Sequence, residues 1–105
     1  MAKKKASKIE KVEDVKKGMT DSIPPEKYFV LHSGIYIRNI EELAHLLDSM
    51  SDGDYGFHVT ESKNDFANWI KDVFNNPKLA EALSLLKDKK ESQILLLKHV
   101  LRHKQ

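Results

Sequence analysis

The chain has 105 residues, 32% charged and 40% hydrophobic, with a formal net charge of +2, the balance of one small water-soluble domain. It has no cysteine, which excludes disulfide frameworks, thiolate zinc sites and cysteine nucleophiles, and which fits a reducing cytoplasm as the expected location. The longest apolar run, Ile94-Leu95-Leu96-Leu97, falls far short of the ~20 residues that span a bilayer, so no membrane association is expected; the N-terminal lysines precede no apolar stretch of the kind a signal peptide needs.

Residues 1–22 read as a flexible lysine-rich arm, and residues 23–105 as a single small helical domain. Residues 1–18 of the arm hold Lys3, Lys4, Lys5, Lys8, Lys11, Lys16 and Lys17 against Glu10, Glu13 and Asp14, an excess of four positive charges; residues 19–105 therefore carry a net charge of −2. Ile9, Val12, Val15 and Met19 recur at spacings that permit a transient amphipathic helix, which Gly18 and Pro24-Pro25 end. The arm is either a solvated leader or a segment that orders on an anionic partner.

Lys27 to Ile37 is aromatic and β-branched, with His32-Ser33-Gly34 as a turn signal between two short runs. This pattern predicts a hairpin, or one extended segment crossing the core. Two strands alone are marginal, so they must rest on helices. About four helices are expected after them. Asn39 caps the first, with Glu42 three residues on and Ile40, Leu43, Leu46, Leu47 and Met50 on its apolar face. Ser51-Asp52-Gly53-Asp54 stops it, and Tyr55 to Val59 reads as an aromatic connector pinned to the core. The second helix starts near Ser62, with Asp65 three residues on, and places Phe66, Trp69, Ile70, Val73 and Phe74 on one face. Asn76 caps the third, with Pro77 at its first position. Asp88 and Glu91 open the last, in which Ile94, Leu97, Val100 and Leu101 face inward while Leu95 and Leu96 widen the stripe. The excess of leucines there leaves part of that stripe for a partner or a homodimer. The predicted fold is mainly α.

Candidate chemistry gathers at the second helix entrance, where His58, Lys63, Asn64 and Asp65 are grouped. Free amides and the dipole at a helix N-terminus favour an anion, and Lys63 and His58 would add charge and a pH-sensitive donor. The same residues also suit a well-capped helix: Ser62 as cap, Asp65 complementing the dipole, Lys63 solvated and His58 bonding a backbone carbonyl. His99 and His103 are spaced i, i+4, as in divalent-metal sites, but the sequence identifies no third ligand, so no metal and no cofactor are expected. No nucleophile elbow, phosphate loop or metal motif occurs, and so small a domain has little room for a pocket of the usual ~300 Å³ or more. An enzyme is not expected.

The run Ile37-Arg38-Asn39-Ile40-Glu41-Glu42-Leu43, followed by His58-Val59, Lys63-Asn64-Asp65-Phe66, Trp69-Ile70 and Asp72-Val73, resembles an uncharacterised family of small prokaryotic modules, many of them archaeal. In that family "IRN-x-x-EL" leads into one helix and "H-V-x-x-x-K-N-D-F-x-x-W" opens the next. The resemblance covers about residues 28 to 102. It implies a portable binding module and no particular activity. The sequence thus leads to a non-catalytic intracellular interaction module with a protein partner. The alternative is a small nucleic-acid-associated protein, of ribosome or chromosome, that binds through the lysines of the arm, with Lys98, Arg102, His103 and Lys104 making the C-terminus basic as well.

Overall fold

A computed structural model describes residues 23–103; the arm expected at 1–22, with its seven lysines, lies outside the described residues, as do positions 104 and 105. Pro24-Pro25 leads into a single 3₁₀ turn, Pro25–Lys27, and the chain then enters β1 (Phe29–Val30). Gly34 takes φ +99° in the turn that follows, a left-handed conformation that favours glycine. The chain returns as β2 (Tyr36–Ile37), antiparallel to β1 with Phe29 opposite Ile37 and Val30 opposite Tyr36. The hairpin reading holds. Its inward face, Phe29, Leu31 and Ile37, lies on the helices; Ile37 is fully buried.

Five helices follow among the described residues: α1 (Ile40–Leu46), α2 (Asp52–His58), α3 (Asp65–Phe74), α4 (Pro77–Ser84) and α5 (Lys89–His103). Asn39 caps α1 through its side-chain oxygen, which accepts the Glu42 amide at 2.8 Å. Glu42 reaches back to the Arg38 amide, also at 2.8 Å, one residue further than a capping box would place it. The helix ends at Leu46, earlier than its apolar spacing suggests, and Met50 is buried from the turn beyond it.

Two corrections to the sequence reading concern the same S-x-x-D pattern. Ser51 does not stop a helix. It starts one, accepting the Asp54 amide at 3.0 Å and making Asp52–His58 a helix where a connector was expected. Ser62 does not cap α3. Asn64 does, accepting the Ala67 amide at 3.0 Å. Residues 60–63 are held instead in a tight turn: the Thr60 amide donates to the Lys63 carbonyl at 2.9 Å, and Val59 pairs with Asn64 as an isolated β-bridge. Ser62 is inside that turn, with its amide on Thr60 Oγ1, and is in no position to cap.

α3 ends on Asn75, whose φ of 55° is the left-handed stop, and Asn76 caps α4 at once by accepting the Leu79 amide at 3.2 Å. The two helices pack on each other, and α1 packs along α5. Trp69 is 8% exposed, its indole Nε1 donates to the Lys27 carbonyl at 2.8 Å, and its ring meets Phe29 and Phe74 edge-on. This bond ties the start of the hairpin to α3.

A third correction concerns α5. Its buried line is Ser92, Leu96 and Val100, not a line through Ile94 and Leu101; those two are exposed, and Leu96 is fully buried. Polar bonds set this rotation. Ser92 Oγ and the buried Tyr55 hydroxyl bond each other at 3.1 Å, and Gln93 Nε2 donates to the Ala44 carbonyl at 2.8 Å. Satisfying buried polar groups outweighed the choice among leucines of similar burial value. The buried apolar residues form one cluster from Leu31 to Val100, each fully buried aliphatic side chain contributing about 1.5–3 kcal/mol.

Candidate functional site

The structure brings His58, Lys63, Asn64 and Asp65 together. α2 ends on His58, the turn carries Lys63 across, and α3 opens on Asp65. His58 Nδ1 lies 3.0 Å from Asp65 Oδ2, and Lys63 Nζ donates to the same carboxylate oxygen at 3.0 Å. On the other side of the ring, the His32 backbone amide donates to His58 Nε2 at 3.0 Å. Because Nε2 accepts there, the proton sits on Nδ1 and is donated to Asp65. His58 thus bonds a backbone amide, where a backbone carbonyl was expected.

The histidine is 5% exposed. Phe29 and Phe57 meet its ring edge-on, and Phe66 packs against it with centroids 5.4 Å apart. Phe57 is half exposed, stacks on His32 with centroids 4.1 Å apart, and has Lys63 Nζ 5.2 Å from its ring centre. Burial alone would raise the Asp65 pKa. The hydrogen bonds from His58 and Lys63 and the lysine's positive charge outweigh it and hold the carboxyl below its ordinary value. Asn64 is buried at 6% exposure, with its oxygen on the Ala67 amide and its Nδ2 donating to the Leu83 carbonyl at 3.4 Å.

An aspartate orienting a histidine is also the rear half of a catalytic triad, but there the far nitrogen faces a nucleophile. Here that lone pair is spent on the His32 amide. The arrangement holds three segments together: the hairpin turn, the end of α2 and the start of α3.

His99 and His103 pack with ring centroids 4.5 Å apart and planes tilted by 40° on the last turns of α5. Burial, and then the nearby His103 and Arg102, hold the His99 pKa below its ordinary value. Among the described residues, no group of three or more His, Cys, Asp or Glu side chains is placed to hold a metal ion.

A second site was not foreseen from the sequence. An open groove of about 900 Å³ runs between β2 and the outer face of α1, lined by Tyr28, Ile35 and Tyr36 on one wall and Glu41, Glu42 and His45 on the other. It is larger than a domain of this size was expected to offer, because it is open along its length and needs no enclosing core. Ile35 is 50% exposed and Tyr36 64%. Tyr28 packs on Tyr36 with ring centroids 6.1 Å apart. Arg38 pairs with Glu42 through both Nε and Nη2, which holds the Glu42 carboxyl below its ordinary range. The Glu41 carboxylate lies 3.6 Å from His45 Nε2. The signal that could have found this site is Tyr28, Tyr36 and Glu41/Glu42 on either side of Arg38-Asn39, once the hairpin is known to lie beside α1.

No helix among the described residues is long and apolar enough to cross a membrane. The chain matches no protein-family model, no curated protein and no solved structure.

Proposed function

We propose that this protein is a non-catalytic, intracellular interaction module that binds a protein partner. The observation that carries this reading is the groove beside β2, where Ile35 and Tyr36 expose apolar surface next to a charged helix wall. Pockets of this size are sufficient for selective recognition, and exposed apolar clusters rimmed by charge mark binding surfaces. The polar groups of the His58 cluster, in contrast, are engaged with one another. The resemblance to a family of portable prokaryotic modules points the same way.

The alternative is association with nucleic acid through the lysine arm. It is favoured by the charge excess of residues 1–18 and by the exposed Lys98 and Arg102 on α5. One experiment separates the two. The full-length protein and a Tyr36→Asp variant are used to capture partners from source cells, with and without nuclease. A protein retained by the wild type, lost with Tyr36→Asp and indifferent to nuclease supports the interaction module. Capture that vanishes with nuclease and ignores Tyr36→Asp moves the function to the arm.

A further inference from the structure

The hairpin turn hangs on one lone pair. Within the hairpin, the Leu31 amide donates to the Ile35 carbonyl at 2.9 Å and the Gly34 amide to the Leu31 carbonyl at 2.7 Å. Among the described residues, the hydrogen bond from 31–35 to a helix is that of the His32 amide, which donates to His58 Nε2 at 3.0 Å. Nδ1 of the same ring gives its proton to Asp65. Only a neutral imidazole can accept at Nε2. A proton there turns the acceptor into a donor, and two N–H groups then face each other across 3.0 Å.

We infer that His58 is a pH-operated latch: protonation at Nε2 breaks its bond to the His32 amide and frees the hairpin turn from α2 while the helices stay folded. The surroundings decide which side of the ring gives way. Asp65, from α3, accepts from Nδ1 in both charge states of the ring. Its carboxyl is held below its ordinary 3.8, so it stays an anion at about pH 6.5, where imidazoles ordinarily charge. Asp54, one turn earlier on α2, is a second acid near the ring. Lys63, from the turn between α2 and α3, opposes a further positive charge, as does the His32 ring once it is charged. Phe29, Phe57 and Phe66 cover the rest of the imidazole, which is 5% exposed, so an imidazolium in the closed state lacks water. Opening the turn hydrates Nε2 and moves the His32 ring away. The open turn thus takes up the proton more readily than the closed one, and acid favours opening. Ile35, at the end of the turn, lines the groove; on the interaction-module reading, acid therefore loosens one wall of the binding surface.

The test titrates the full-length ¹⁵N-labelled protein from about pH 8 to about pH 4.5. Long-range proton–nitrogen spectra report the charge of each imidazole. Hydrogen exchange, corrected for the pH dependence of free peptides, reports the protection of each backbone amide. As His58 takes up its second ring proton, protection at the His32 amide should fall at least about tenfold with the same midpoint, while Leu43 in α1 and Ile70 in α3 keep theirs. His58→Gln supplies an oxygen that accepts from the amide and does not titrate, and should hold protection at His32 constant over the range. His32→Gln keeps the backbone amide, removes the neighbouring imidazole and should still open. The latch is refuted if His58 stays neutral until Leu43 and Ile70 also lose protection, since acid then acts on the whole fold. It is equally refuted if His58 charges with His32 protection unchanged, if the loss persists in His58→Gln, or if it vanishes in His32→Gln. Should His58→Gln fail to fold, the wild-type midpoints and His32→Gln decide. These readouts need no partner, so the latch stands or falls separately from the capture experiment at the groove.

Discussion

At the hairpin turn the His32 amide ends on His58, and behind that ring stand Asp65, Lys63 and three phenylalanines. Beside β2 the exposed Ile35 and Tyr36 side chains border a groove. The turn of the hairpin is thus fastened by polar bonds, while its second strand flanks open surface. A residue pattern that looks like a site from the sequence is the place where donors and acceptors are already used up. The open surface is the groove, where exposed apolar side chains face a wall on which Arg38 and Glu42 are paired with each other. Polarity in a cluster measures what has to be satisfied; availability for binding depends on what has been left over.

The closed side should be costly to disturb. Trp69→Ala removes a nearly buried indole and its bond to the Lys27 carbonyl, and should cost about 3–5 kcal/mol in denaturant unfolding. A loss under 1 kcal/mol would mean that the hairpin is not anchored through α3. His58→Phe keeps most of the ring volume but leaves the His32 amide and Asp65 without their partner. It should cost about 1–3 kcal/mol, and amide exchange at His32 should quicken more than at Leu43 in α1. If both exchange rates rise together, the histidine supports the whole core and not the hairpin turn in particular.

The two competing caps of α3 sharpen the comparison at smaller scale. Asn64→Ala should lose about 1–2 kcal/mol, because a buried side chain bonded at both ends is removed. Ser62→Ala, on the exposed turn, should stay within about 0.5 kcal/mol of wild type. Equal losses would return the cap to Ser62.

Asp65 gives the closed side a pH dependence. Its folded pKa lies below the ordinary value of 3.8, so the unfolded chain takes up the proton first. The stabilisation is complete above the ordinary value and is lost as pH falls through it toward the folded value. Asp65→Asn should flatten the acid limb of a plot of melting temperature against pH. His99 acts in a second window. Its folded pKa lies below 6.5, so protonation favours the unfolded chain and stability declines as pH drops below about 6.5; His99→Gln should remove that slope. On the open side, Tyr36→Lys should change stability least, by no more than about 0.5 kcal/mol, since the side chain is mostly exposed.

Much of the fold was legible because its signals are local. Asn39, Asn76 and Pro77 mark helix starts by side-chain chemistry alone, and Phe66, Trp69 and Ile70 mark a buried face by spacing. The α2 helix was missed because Gly53 and Gly56 are poor helix formers; Ser51 with Asp54 three residues on was the available signal. The identical spacing of Ser62 and Asp65 misled, because the Val59–Asn64 bridge that fixes the true cap pairs residues across a turn. The rotation of α5 depended on Tyr55 meeting Ser92, 37 positions away. The cluster at His58 was found by residue type. Its partners His32 and Phe29 lie a whole helix earlier, and the groove needs two elements brought side by side, which no spacing along the chain records.

The bond from the His32 amide to the His58 ring joins residues 26 positions apart in the chain. Contacts that distant form late in folding, because the long loop between them has to close first. The helices, whose caps and hydrogen bonds are local, can form before that closure. The hairpin turn should therefore gain its protection from exchange only once the α2–α3 junction has been built.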